Sequence, residues 1–301
     1  MKIDTTINEI SENPKWEKTK YYLYLISKNR LFMLGLIITL LLIAVAVLAP
    51  WIATHPGDAF GDINLSARLK PPSSDYLMGT DNFGRDIFSR LVYGTRLSIL
   101  AGVCIVLIAL IIGVPLGLIA GYYGGKVDEI IMRICDGFLS FPYLLLPIVI
   151  GAYFKGSLNI DMMVVNMLVL GLIWWPWYVR ILRAQVLIVR EHLYIEAAKA
   201  IGVKDSTIII SHVIANSIGP LSVQVSLDVG YAILASASLS FIGIGATPPT
   251  AEWGYMVSAS RPYFHDFWWT TFFPGLAIFL AVIAFNLLGD GLREIFDPKT
   301  R

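Results

Sequence analysis

Charge is scarce in this 301-residue chain: Asp, Glu, Lys and Arg together make up 15%, against roughly a quarter in an average soluble protein. With a hydrophobic share of 56% and a mean hydropathy of +0.68, that scarcity excludes a water-soluble globule. Cysteine is scarcer still. Cys104 and Cys135 are the only two, and both lie in or beside apolar runs, which excludes a disulfide framework and a four-cysteine zinc site. The four histidines, His55, His192, His212 and His265, show no metal-ligand spacing, and no Gly-x-Ser-x-Gly, His-Glu-x-x-His or phosphate-binding loop occurs. No metal site, catalytic constellation or bound ATP is therefore expected in this chain. Neither sign of charge dominates: 23 Lys and Arg against 22 Asp and Glu leave +1, so no global basic field exists to attract nucleic acid.

What the chain does have is long apolar runs with its charges gathered between them, the pattern of an all-α polytopic membrane protein. Six transmembrane spans are expected, at 31–54, 97–126, 131–154, 162–179, 214–242 and 272–288. The first carries no charge between Arg30 and His55. It exceeds the roughly 20 residues that cross a bilayer and follows a segment too polar for a signal-peptide start, so it reads as an uncleaved signal anchor. Pro115 in the second is tolerable because neighbouring helices can satisfy a freed carbonyl. Arg133 and Asp136 sit early in the third, within reach of the interface. Six spans put both ends on one side. Sixteen Lys and Arg fall inside and seven outside if that side is cytosolic, which supports an N-in, C-in topology within the lipid bilayer. Between Trp16 and Arg30, lysines mix with Trp16, Tyr21, Tyr22 and Tyr24, a composition suited to an interfacial helix, with a disordered tail as the alternative.

Two polar insertions interrupt the runs. The outer one, His55–Arg96, contains Pro71-Pro72 and Gly79 to Asp86 (GTDNFGRD). It reads either as Asx-type turns around Asp81 and Asp86 or as an extracytoplasmic docking surface. The cytosolic one, Arg180–His212, reads as helix, break, helix. Val186, Val189, Leu193 and Ala197 recur at three- and four-residue spacing along one apolar side. Gly202 suits a helix end that needs positive φ, and Asp205 or Ser206 can cap the next helix. Beside Ala197, Ala198 and Gly202 another protein's groove can approach closely; a helix resting on lipid would look the same.

Glu196-Ala197-Ala198, then Gly202, then Ser211-His212-Val213-Ile214 matches the EAA signature of ATP-binding-cassette importer permeases, and does so between the fourth and fifth expected spans. Over nearly its whole length the chain resembles the C-type permease of the dipeptide and oligopeptide importer family. The matching stretches are Gly79-Thr80-Asp81, Gly84-Arg85-Asp86, Gly121-Tyr122-Tyr123-Gly124-Gly125, Leu239-Ser240-Phe241-Ile242-Gly243, Pro248-Pro249-Thr250, Glu252-Trp253-Gly254 and Phe285 to Arg293. One departure stands out: Ile214-Ala215 replaces the family's usual Leu-Pro, removing a fixed kink at the start of span five. The resemblance implies a type I importer permease fold and a non-catalytic subunit. Its partners would be a second homologous permease, two cytosolic ATPases that bind ATP and Mg, and an extracytoplasmic substrate-binding protein. The cargo would be a peptide, with nickel or oligosaccharides as alternatives. Glu196, Ala197, Ala198, Gly202 and Asp205 would couple to the ATPases. The chain then divides into a tail (1–30), a first span (31–54), an extracytoplasmic segment (55–96), a five-helix permease core (97–292) holding the coupling segment (180–214), and a cytosolic tail (293–301).

Asp228 stands alone in an apolar stretch, where a carboxylate costs about 2.5 kcal/mol or more unless it faces protein or water. It is expected to face the bundle interior, lining the translocation path, pairing with a neighbouring helix or relaying protons; Gln224 and Asn166 are candidates of the same kind. Gly113, Gly117 and Gly121 repeat every four residues and offer a smooth strip for packing within the subunit, or else against a partner permease. Trp253, Trp268 and Trp269 fit an interfacial belt or a binding-protein contact. The competing class, a secondary transporter, would show inverted repeats with broken helices around a midplane site, and no half-to-half similarity supports it.

Overall fold

In lipid a spanning segment must satisfy its own backbone polar groups, which a helix does within itself. The computed structural model describes residues 24, 27–155 and 160–296, and among them every long apolar run is helical. In chain order the helices are α1 (Arg30–Ile52), α2 (Pro56–Phe60), α3 (Ile87–Tyr123), α4 (Gly125–Leu139), α5 (Leu145–Phe154), α6 (Met162–Arg190), α7 (Leu193–Ala200), α8 (Asp205–Ile208), α9 (Ile214–Ile242), α10 (Trp253–Ser260) and α11 (Trp269–Phe296). A π-helical turn, Ile209–Val213, joins α8 to α9. Five units are long and apolar enough to cross a membrane: α1, α3, α6, α8 through α9, and α11.

The third expected span is not one helix. Residues 131–154 divide into the end of α4 and all of α5, with the break at Ser140–Leu144. Pro142 causes it: proline has no N–H to continue the helix and pushes Phe141 out of the helical region. The pair still runs from one end of the bundle to the other. Arg183 of α6 pairs with Asp128 near the start of α4, and Lys155, just after α5, donates to the Gly243 carbonyl at the far end of α9 (2.8 Å). Other boundaries also move outward. α3 starts at Ile87 rather than Leu97 because Asp86 caps it, accepting from the Ser89 N–H at 3.0 Å. At 37 residues it is about 55 Å long, well beyond the roughly 30 Å hydrocarbon layer. The interfacial helix expected over Trp16–Arg30 lies mostly outside the described residues; Tyr24, Ser27 and Lys28 are helical.

Because lipid tails are as apolar as leucine, these helices gain by close packing rather than by leaving water. Glycines set the approach. Along α3 the Gly113, Gly117 and Gly121 strip lies against α6, within the subunit. A Cβ on Gly113 would sit 2.8 Å from the Trp175 carbonyl, and one on Gly121 2.6 Å from Val186 Cβ. Gly102 meets Ile233 of α9 in the same way, Gly230 meets Val282 of α11, and Gly35 of α1 meets Ala284 and Leu288 of α11. The core is thus α3, α6, α9 and α11, with α1 on α11. Leu34, Ile37 and Leu41 on the opposite side of α1 stay exposed, as lipid permits.

Hydrogen bonds also sort the helix ends. Asn29, capping α1, donates to Glu294 near the end of α11 (2.7 Å), and Arg96 near the start of α3 donates to the Val47 carbonyl near the end of α1 (3.0 Å). The start of α1, the end of α3 and the end of α11 therefore share one end of the bundle.

Candidate functional site

At that shared end lies the segment matched to the EAA signature. α6 stops at Arg190, and the Glu191–His192 turn re-aims the chain, so the expected apolar side does not continue: Val186 and Val189 are buried while Leu193 is 82% exposed. Within α7, Ile195 and Ala198 point inward. Glu196 and Ala197 are exposed, with Glu196 in the first turn, where the helix dipole favours a carboxylate. Gly202 ends α7 as expected, at φ +80. Its N–H bonds the Lys199 carbonyl and the Val203 N–H bonds the Ala198 carbonyl (3.0 and 3.1 Å), the paired bonds of a Schellman motif. No atom lies within 4 Å of a Cβ built on Gly202, so the left-handed backbone, not crowding, requires glycine.

The capping expectation fails for α8. Lys204 holds the cap position without a side-chain bond, and the Asp205 carboxylate instead accepts from the Tyr122 hydroxyl at 2.6 Å, because the end of α3 lies against this turn. Ser211 and His212 fall in the π-helical turn, a distortion frequent at functional sites, and the Tyr194 ring of α7 packs 6.1 Å from His212. With Ala215 in place of proline, α9 leaves that turn unbroken; Pro220 comes five residues later.

The in-span polar residues do not form one cluster. Asn166 is fully buried and donates to the Ser236 and Ile244 carbonyls (3.2 and 2.9 Å), bracing α6 against the far end of α9. Gln224 and Asp228 do meet, at 2.9 Å. Asp228 is 5% exposed and lies close to Tyr178 of α6, and its second oxygen has no hydrogen-bond partner among the described residues. These residues occupy the α6–α9 interface.

A cavity of about 500 Å³, lined by none of these three residues, opens between the broken pair, α6 and α9. The broken pair contributes Phe138, Phe141, Pro142 and Tyr143, α6 contributes Trp174 and Trp177, and α9 contributes Tyr231 and Ser238, with no charged residue in the lining. Irregular backbone is tolerated at membrane depth where it lines such a space. Reading a span straight across Phe141-Pro142-Tyr143 missed it, although the proline was the available signal.

At the opposite end, the turn expectation for GTDNFGRD holds. Asp81 accepts from the Phe83 and Arg85 N–H groups (2.8 and 3.0 Å) and pairs with the Arg85 guanidinium at 2.7 Å. Arg90, only 1% exposed, donates to the Asp58, Pro249 and Thr250 carbonyls, tying the first insertion to the loop after α9. In that loop Glu252 caps α10 through the Gly254 and Tyr255 N–H groups (2.9 and 2.8 Å), and burial pushes its carboxyl above the ordinary range. Two of the three belt tryptophans belong here instead: Trp253 is fully buried and donates to the Leu91 carbonyl, and Trp269 is buried against Thr80. Trp268 alone of the three is exposed.

Comparison with known proteins agrees with this arrangement. A family described as "Binding-protein-dependent transport system inner membrane component" matches residues 113–301, and one described as "N-terminal TM domain of oligopeptide transport permease C" matches 24–72. A probable D,D-dipeptide transport system permease protein of Escherichia coli (strain K12) is 45% identical, over 92% of this chain and 90% of that protein. A dipeptide transport system permease protein of Haemophilus influenzae is 40% identical over 96% and 97%. A glutathione transport system permease protein of Pectobacterium atrosepticum is 42% identical over 87% and 85%. The crystal structure of an amino acid ABC transporter with histidines shares the fold, with a TM-score of 0.53 over 67% of this chain and 92% of that one at 14% identity. With these matches, the chain belongs to the family of binding-protein-dependent transport system inner membrane components, as a multi-pass permease subunit.

Proposed function

We propose that this subunit forms one half of the membrane path of an ATP-driven importer of short peptides. A second homologous permease supplies the other half, an extracytoplasmic binding protein delivers the peptide, and two cytosolic ATPases bind ATP and Mg and hydrolyse the nucleotide. The observation that carries the reading is that relatives named for dipeptide transport match over nine-tenths or more of both chains. The chain has no phosphate-binding loop of its own. The uncharged aromatic cavity at the helix break is the segment of path that this subunit contributes, since irregular backbone at membrane depth is tolerated where it lines a cavity. Glu196, Ala197, Gly202 and Asp205 form the cytosolic face that meets the ATPases; Ala198, expected there, is turned inward and packs beneath it. Gln224 bonds Asp228 within α9, on the side that packs near Tyr178 of α6, and Asn166 braces the far ends of these two helices, which wall the cavity.

Reconstitution with the partner subunits in vesicles tests this. ATP-dependent accumulation of labelled dipeptides presented by the binding protein is expected. A binding protein that takes nickel or oligosaccharides and no peptide would overturn the peptide assignment. Uptake with no ATPase present would make this a secondary transporter instead.

A further inference from the structure

Tyr122, on the last turn of α3, is 6% exposed and belongs to neither arm of the coupling segment, yet it touches both. Its hydroxyl donates to Asp205, the first residue of α8, at 2.6 Å. The Lys199 ammonium, in the last turn of α7, lies 4.9 Å from the centre of its ring. Between Lys199 and Asp205 sits Gly202, with positive φ and open space around its α-carbon. A glycine in open space is where a helix pair bends most easily. Here a bond to a carboxylate and a cation on an aromatic face bridge that point from outside. The corner that carries Tyr122 is itself held: Arg190 donates to the Gly121 carbonyl at 3.1 Å, and both carboxylate oxygens of Asp128 accept from Arg183.

We propose that Tyr122 is a positioning residue which, through Asp205 and Lys199, locks α7 and α8 to α3, so that movement of a docked ATPase shifts α3 instead of flexing Gly202. This rests on the coupling role proposed above. α3 grips α6 through its glycine strip and touches α9 at Gly102, so a displacement entering at Tyr122 reaches both helices that wall the cavity.

The test uses Tyr122→Phe and Asp205→Asn in the complete reconstituted complex. Both keep the shape of the corner: Tyr122→Phe removes the hydrogen bond, and Asp205→Asn keeps an acceptor but takes away its charge. In Tyr122→Phe, ATPase recovery and hydrolysis should stay at wild-type levels while solute taken up per ATP falls roughly ten- to hundredfold, the scale of one hydrogen bond to a charged group; Asp205→Asn should lower uptake per ATP by less. The double variant should fall no further than Tyr122→Phe alone, because without the hydroxyl the acceptor at 205 has no bond left to lose. Tyr122→Leu, which also loses the ring, should fall further. If either variant is recovered poorly, Tyr122→Cys with Asp205→Cys, in a chain whose Cys104 and Cys135 are alanine, can be joined by a short thiol cross-linker. Uptake per ATP should then rise with cross-linking. Wild-type uptake per ATP in both single variants, additive losses in the double variant, or no rise on cross-linking would overturn the latch. A wild-type chain that retains no ATPase would overturn the coupling reading beneath it.

Discussion

At the level of single side chains, the end of the bundle opposite the EAA-like segment depends on Arg90. Its planar fork reaches three backbone carbonyls at once, which a lysine ammonium on a flexible stem cannot do. Arg90→Lys should cost about 2 kcal/mol or more, since buried acceptors lose their donors, and should lower the thermal unfolding midpoint in detergent; Lys70→Arg, at an exposed position, should leave it unchanged. Glu252 gives a pH dependence. Burial holds its carboxyl above the ordinary glutamate value of 4.5 against the Gly254 and Tyr255 N–H groups, which favour ionisation. The folded chain therefore binds this proton better than the unfolded one, and the contribution to stability declines as pH rises above 4.5. Measured against Glu252→Gln, wild-type stability should fall on raising the pH from 4.5 toward neutrality; a difference that does not change with pH would refute this. Both residues were visible in the sequence, one as an outer positive charge and one inside a matched stretch. Their importance was not, because burial arises from contacts more than 150 residues apart, such as that of Arg90 with Pro249 and Thr250.

Among the helices, the Gly113 to Gly121 strip was legible because four-residue spacing places all three glycines on one side. Its consequence is quantitative. Gly121→Ala would put a methyl 2.6 Å from the β-branched Val186, an overpacking cost of about 1–3 kcal/mol, and should reduce folded yield. Gly275→Ala in α11 meets nothing within 4 Å and should be neutral or mildly stabilising. The coupling segment was legible in its break but not in its geometry: Gly202 took the left-handed conformation expected of it, whereas Asp205 turned from capping to Tyr122, a partner 83 residues away. Gly202→Val should cost on the order of 1–2 kcal/mol of backbone strain. Together with Glu196→Ala it is expected to weaken ATPase docking or to separate hydrolysis from uptake; wild-type recovery, hydrolysis and uptake in both variants would remove the coupling assignment. The broken third span escaped because hydropathy averages over Pro142, and the apolar residues on either side carry the window past the break.

For the whole molecule, run length and the placement of Lys and Arg were enough to anticipate a helical membrane bundle, since both are local properties of the chain. Which helices wall the cavity was not anticipated, because it depends on how α4, α5, α6 and α9 pack. The cytosolic orientation expected for the EAA-like end has a direct check. Ser74→Cys and Ser206→Cys lie at exposed positions at opposite ends; a membrane-impermeant thiol reagent added outside should label the first and spare the second, and the reverse pattern would invert the topology. The cavity has an optical consequence as well. Two indoles, Trp174 and Trp177, stand in its open, uncharged wall, where detergent tails can enter an isolated subunit. A brominated detergent should therefore quench the emission that Trp174→Phe with Trp177→Phe removes, and lose that access once a second permease closes over the recess. Fluorescence alone would then report assembly of the path, before any solute moves.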